Sequence, residues 1–268
     1  MHHAAFEALG LDAVYAPFDV PPRQLANVLR GLSACRIDGV NVTVPHKTRI
    51  ITALGRSLEL SADAAQVGAV NTLVEKNDGF VGHNTDLEGI ERTIAEELRL
   101  DLLGRHVLVL GAGGAARAVV WALIRLGAET VTLANRTSAK AQALRRQFAA
   151  SASTTHLRVI EWDPRALQRA AADASLLINA TSLGLRARDP LPIAPAALHR
   201  RLAVFDLVYR APTTALVRAA RRRGALAVDG VAMLVYQGAA AFRLWWQRPA
   251  PVPVMRRAVE QALRRRPR

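Results

Sequence analysis

The chain is 268 residues long, 51% hydrophobic and 22% charged, which is enough to bury a core and excludes wholesale disorder. At roughly 150 residues per domain it makes one large or two ordinary domains. Its 36 Lys and Arg against 22 Asp and Glu give a net charge of +14 and favour anionic partners, while a single cysteine, Cys35, excludes an intrachain disulfide framework and an all-cysteine metal cage.

The N-terminus, MHHAAFEALGLD, has no basic stretch leading into an apolar one, so no secretion signal is expected. The first part predicts a helix over His3–Leu9, a strand over Val14–Val20, a helix over Pro22–Leu32, a strand over Gly39–Val44 and a helix from Pro45. Two apolar runs follow, Ala69–Glu75 and Gly79–Gly82. Asn77-Asp78-Gly79 joins them and predicts a hairpin turn. Thr85 and Glu88 fit a capping box, which predicts a helix from Asp86 to about Leu98.

Short β-branched strands then alternate with helices: His106–Leu110, Ala115–Leu126, Thr130–Ala134, Ser138–Ala149, Arg158–Glu161, Leu176–Asn179, Ala203–Leu207, Thr214–Arg223 and Ala225–Asp229. That alternation predicts a doubly wound parallel sheet. Two helices, Gly230–Gln247 and Val252–Arg265, close the chain. The apolar run Gly230–Phe242 is shorter than the roughly 20 residues a membrane span needs, so no membrane partner is expected. Arginines are spread over nearly every predicted helix, with short runs at Arg221–Arg223 and Arg264–Arg266. No nucleic-acid partner is expected from so diffuse a charge. The fold class is therefore α/β with two domains. Residues 1–85, completed by 231–268, are expected to form one α/β domain, and 86–230 a Rossmann-type, doubly wound nucleotide-binding domain.

The strongest local motif is Gly111-Ala112-Gly113-Gly114-Ala115-Ala116, set between an apolar strand and a helix. Gly111 allows the tight turn, Gly113 clears the approach of a pyrophosphate, and Ala116 lets the helix pack on the strand. The next strand ends in Asn135-Arg136-Thr137, where an NAD site carries an acid for the ribose 2′-hydroxyl. An arginine there suits a 2′-phosphate, so the expected cofactor is NADP(H).

Pro45 at the first helical position would place Lys47 in a first helical turn, near a positive dipole end that disfavours an ammonium. On this segment alone Lys47 reads as a solvated helix-start lysine. Asp86 opens its own helix, and by itself reads as a cap. Asn71 interrupts an apolar strand, as a satisfied buried amide would.

Together these segments resemble the shikimate dehydrogenase family over nearly the whole chain. They are NVTVPHK (41–47), GAVNT (68–72), GHNTD (82–86), GAGGAAR (111–117), NRT (135–137), NATSLG (179–184), DLVY (206–209) and DGVAMLVYQGAAAF (229–242). The resemblance implies a cytoplasmic NADPH-dependent oxidoreductase of aromatic amino acid biosynthesis that reduces 3-dehydroshikimate to shikimate. It makes 1–85 with 231–268 the α/β substrate domain and 86–230 the Rossmann-type NADP-binding domain, and the chain would act on a small molecule as a monomer or homodimer, without a metal. It makes Lys47 and Asp86 the catalytic pair, with the proton carrier between them left open. Asn41, Thr43, Asn71, Tyr209 and Gln237 would contact substrate. Gly111, Ala112, Gly113, Gly114, Ala115, Asn135, Arg136, Thr137, Thr181, Gly230 and Met233 would hold cofactor, the last two at its nicotinamide end.

Two departures stand out. Family members begin with a strand and a Ser-x-Ser segment that grips the substrate carboxylate, whereas this chain starts at Met1-His2-His3-Ala4-Ala5-Phe6. The expectation is a poorly stable or weakly active form. The proline that usually stands two positions after Tyr209 is Ala211 here, with Pro212 next. The alternative functions are a quinate/shikimate dehydrogenase-like paralogue, or a truncated NADP-binding protein with an impaired substrate site.

Overall fold

The computed structural model describes residues 1–35, 37–76 and 79–265. The chain divides into two compact units. One comprises Met1–Gly89 with Val235–Val259, and the other comprises Ile90–Leu234 with the end of the chain from Glu260.

The first unit carries helices α1 (His2–Ala8), α2 (Leu25–Ala34), α3 (Arg49–Leu54), α4 (Ala62–Val67) and the start of α5 (Asp86–Arg92). Its strands are β1 (Gly39–Asn41), β2 (Leu58–Leu60), β3 (Thr72–Lys76) and β4 (Gly79–His83), in the sheet order β1-β3-β4-β2. Strands β1 and β4 run antiparallel to β3, and β2 runs parallel to β4. The register aligns Asn41 with Thr72, and Thr72 with His83, so the ends of three strands meet at one edge. Leu25, Leu29, Val42, Ile50, Val70, Leu73 and Phe80 form the core beneath.

Three expectations change here. Residues 14–20 form no strand: Val14 and Phe18 are exposed, the Tyr15 amide donates to the His3 ring at 2.9 Å, and Pro17 has no amide to offer a ladder. The strand from Gly39 stops at Asn41. The helix expected from Pro45 begins only at Arg49, because the His46 amide closes a turn on the Thr43 carbonyl at 2.8 Å. The hairpin β3–β4 is formed; Asn77 and Asp78 of its expected turn, and Arg266 of the terminal arginine run, lie outside the described residues.

The second unit holds β5 (His106–Leu110), α6 (Gly114–Arg125), β6 (Thr130–Ala134), α7 (Ser138–Phe148), β7 (His156–Ile160), α8 (Pro164–Asp173), β8 (Leu176–Asn179), β9 (Ala203–Asp206), α9 (Ala215–Arg222) and β10 (Ala227–Val228). Helix α8 is an addition to the predicted elements. It is started by Pro164 at its first position and by Asp163, whose carboxylate accepts the Arg165 and Ala166 amides. All six strands are parallel, in the order β10-β9-β8-β5-β6-β7. Every residue of β8 and β9 is buried, as a sheet covered on both faces requires.

Helix α10 (Val231–Trp246) begins in the second unit and continues in the first, followed by α11 (Val252–Arg265). Within the first unit, the Trp245 indole donates to the Leu73 carbonyl at 2.9 Å, and Arg243 grips the Glu88 carboxylate at 2.6 and 3.0 Å. These contacts fix α10 against the sheet and against α5. No helix among the described residues is long and apolar enough to cross a membrane.

Candidate active site

At the edge where β1, β3 and β4 end, the Lys47 ammonium donates to Asp86 Oδ2 at 2.7 Å. Lys47 lies in the turn before α3 rather than inside a helix, and its carbonyl accepts the Val70 amide at 2.8 Å. That backbone bond ties the turn to the segment leading into β3. The Asp86 side chain is 7% exposed and that of Lys47 22%, so the pair is largely shielded yet the ammonium reaches solvent.

Asn71 organises the neighbourhood and is itself 2% exposed. Its amide nitrogen donates to Asp86 Oδ1 at 2.9 Å and to Thr85 Oγ1 at 3.0 Å, with Gln237 Oε1 at 3.5 Å. Its amide oxygen accepts the Thr85 backbone N–H at 2.7 Å and the Thr72 hydroxyl at 3.1 Å. Asn71 therefore sets the entry angle of α5, and with it the place of Asp86.

Asn41 donates to the Asn71 carbonyl at 3.3 Å and to Thr72 Oγ1 at 3.1 Å, and accepts the Tyr15 hydroxyl at 2.9 Å. Thr43 is exposed in the turn before Lys47. Thus Lys47, Asp86, Asn71, Asn41 and Gln237 gather in the first unit around one hydrogen-bond network. Thr85 and Tyr15 belong to that network too, although neither carries a site signal in the sequence. Thr85 was hidden by its capping-box reading, and Tyr15 lay in a segment expected to be a strand.

The second unit presents a different surface. Gly111 follows β5 with φ +110°, and a Cβ there would lie 2.8 Å from the Ala180 carbonyl oxygen, so only glycine fits. A Cβ on Gly113 or Gly114 would meet nothing within 4 Å. Packing therefore does not require glycine at those two positions. Ala116 is fully buried against the sheet.

Register places Leu110 beside Ala134 on one flank and beside Asn179 on the other. The glycine turn with Ala112 and Ala115 therefore lies between Asn135-Arg136-Thr137 and Thr181 at the C-terminal edge of the sheet. Asn135 Nδ2 donates to the Thr137 carbonyl at 2.9 Å, which shapes the turn and leaves Arg136 exposed. Gly230 is tightly enclosed: a Cβ would sit 2.2 Å from the Leu207 carbonyl oxygen and 3.4 Å from the Tyr209 ring. Tyr209 is 40% exposed, and Met233 lies partly buried in the first turn of α10.

A parallel sheet in this order, with a glycine turn where the strand order reverses, defines a dinucleotide-binding α/β protein. Sequence profiles sharpen that class. The profile described as the shikimate dehydrogenase substrate binding domain matches residues 1–73, that of shikimate/quinate 5-dehydrogenase matches 93–183, and that of the shikimate 5'-dehydrogenase C-terminal domain matches 230–260. The shikimate dehydrogenase (NADP(+)) of Methanopyrus kandleri is 43% identical over 98% of this chain and 90% of its own length. That of Rubrobacter xylanophilus is 46% identical over 97% of this chain and 89% of its own length. Among solved structures, the Thermus thermophilus shikimate 5-dehydrogenase in complex with NADP(H) and shikimate matches with a TM-score of 0.85 at 35% identity. That match covers 98% of this chain and 93% of the Thermus one. The chain belongs to the shikimate dehydrogenase family.

Proposed function

We propose that this chain interconverts 3-dehydroshikimate and shikimate with NADP(H), acting on the CH–OH group. The observation that carries the reading is the Lys47–Asp86 pair, a 2.7 Å ion pair in a network of amides. Bound NADPH supplies a hydride to the ketone carbon. The negative charge that then builds on the carbonyl oxygen needs a proton, and the Lys47 ammonium is the donor. Asp86 holds that ammonium in place and accepts a substrate hydroxyl. Asn71, Asn41, Thr43 and Gln237 read the remaining hydroxyls, since each can both donate and accept.

The residues of the second unit fit the cofactor. The open space over Gly113 and Gly114 suits a pyrophosphate, and Arg136, where an acid would bind a free ribose 2′-hydroxyl, suits a 2′-phosphate. Asn135, Thr137 and Thr181 flank the adenosine side and the turn, and Gly230 and Met233 take the nicotinamide end. We assign the chain to the cytoplasm on its resemblance to a biosynthetic enzyme family, with which a single free cysteine is compatible.

The test is 3-dehydroshikimate-dependent oxidation of NADPH, followed beside NADH and beside the variant Lys47→Ala. The variant is expected to lose about 10²–10⁴-fold in kcat, with the KM for NADPH little changed. Undiminished turnover would remove Lys47 from the chemistry. A preference for NADH would overturn the 2′-phosphate reading of Arg136, and faster oxidation of quinate than of shikimate would move the substrate assignment to quinate.

A further inference from the structure

Asn179 closes β8 and Asp206 closes β9, and the two face each other in register; both are fully buried. Asn179 uses its whole amide. Its nitrogen donates to Asp206 Oδ1 at 2.8 Å and to the Leu183 carbonyl at 3.1 Å. Its oxygen accepts the Thr181 backbone N–H at 3.1 Å and the Thr181 hydroxyl at 2.7 Å. Thr181 Oγ1 in turn accepts the Leu183 amide at 3.0 Å. Asp206 Oδ1 also accepts the Val208 amide at 3.1 Å, and the Val208 carbonyl accepts the Gly230 amide at 3.1 Å. One carboxylate oxygen thus anchors two turns that leave the sheet side by side, one carrying Thr181 and the other ending at Tyr209 and Gly230.

Packing does not explain the charge. An asparagine of the same shape would accept both bonds at Oδ1 without a buried charge. Asp206 Oδ2 has no hydrogen-bond partner of good geometry, although the Thr214 hydroxyl lies near enough to favour the anion. Burial, with Asp229 adding like charge, pushes the carboxyl up to about 6 against the help of Thr214 and Asn179. A carboxylate kept ionised in such a place weakens the fold, and what it gives in return is stronger, charge-assisted bonds to the two turns.

We propose that Asp206 is a positioning residue for cofactor binding: its carboxylate, acting through Asn179 and the Val208 amide, holds the Thr181 turn and the Val208–Gly230 contact in the conformation that takes the nicotinamide end. The proposal rests on the reading of this unit as the NADP site. The other charged groups around these turns are Asp229, which accepts the Thr213 hydroxyl and the Val231 amide, and Asp189, with Arg186 and Arg210 beside it. Asp189 accepts the Arg186 and Gly184 amides, and those bonds hold it below the usual carboxylate range, so it stays charged where Asp206 titrates.

The experiment compares the native enzyme with Asp206→Asn between about pH 5.5 and 8, reading the KM for NADPH, kcat and Tm. At neutral pH the KM for NADPH is expected to rise about ten-fold, with kcat within about two-fold and Tm unchanged or higher. The ratio of variant to native KM is expected to shrink towards one near about pH 5.5, where the native carboxyl takes up its proton. Taking the ratio cancels the titration of the cofactor's own 2′-phosphate. A variant with native KM at every pH would overturn the proposal, and so would a raised KM that comes only with a lowered Tm, the mark of a purely structural residue. Should the variant fail to fold, hydrogen exchange of residues 180–185 and 207–210 in the native protein takes its place. Exchange faster at low pH than intrinsic rates require is expected, and equal protection would overturn it. A native enzyme that neither binds NADPH nor reduces 3-dehydroshikimate would instead sink the functional reading, and the exchange result would stand apart from it.

Discussion

Asn71 uses both ends of its side chain, one on Asp86 and Thr85 Oγ1, the other on the Thr85 amide and the Thr72 hydroxyl. At 2% exposure there is little water to replace a lost partner. Replacing it with alanine leaves the Thr85 amide without its acceptor and removes a donor from the Asp86 carboxylate. The expected cost of Asn71→Ala is about 2–3 kcal/mol of stability in denaturant unfolding. Turnover at a temperature where the variant remains folded should fall as well, because Asp86 would no longer be held where Lys47 meets it. Native kcat in a folded Asn71→Ala variant would show that the pair is positioned by something else. A lone polar residue in an apolar strand announces that it is satisfied, not by whom. The partners come from a turn 14 residues away, and only the pairing of β3 with β4 brings them together.

At the level of elements, the doubly wound sheet was legible because short runs rich in β-branched and aliphatic residues recur at regular spacing and most are followed by an amphipathic helix. The glycine turn was legible because strand, glycines and helix occur in order. The segment around Lys47 was less so: Pro45 suits a helix start, but the turn closed by His46 on Thr43 delays α3 to Arg49. Residues 14–20 read as a strand because they are apolar, yet nothing in a local pattern shows that the Tyr15 amide is taken by His3. Equally hidden was the way α10 is fixed to the sheet. The Trp245 indole lies so close to Gly39 that a Cβ there would come within 1.9 Å of its nitrogen. Gly39→Ala must push the ring away and break its bond to the Leu73 carbonyl. Since Gln237 rides on the same helix, the expected result is a loss of about 2–3 kcal/mol in stability together with weaker substrate binding. Calorimetry and the KM for shikimate check it, and a variant with native values for both would show that α10 is placed independently of Trp245.

For the whole molecule, two buried titratable groups answer acid in opposite directions, one in each unit. His2, 3% exposed and stacked on Tyr15 at 4.5 Å, is lowered to about 4, chiefly by burial and also by the positive charges of the N-terminus and His3. Its folded state stays neutral while the unfolded chain binds a proton from about pH 6.5 downward. Stability of the first unit is therefore lost as pH falls from there towards 4, by about 3 kcal/mol in all. Asp206 is raised to about 6, so in the second unit the folded state takes up a proton before the unfolded chain does. That unit gains about 3 kcal/mol from this group as pH falls from 6 towards its ordinary value of 3.8. The net charge of +14 grows in acid and loosens both units alike, so the informative quantity is the difference between them. Hydrogen exchange resolved by unit is expected to show the slowest-exchanging amides of the first losing protection between about pH 7 and 4.5 ahead of those of the second. His2→Phe should flatten the slope of the first, and Asp206→Asn should leave the second without its acid-side gain. Parallel loss in both units, unchanged by either substitution, would mean that neither buried group governs the acid response.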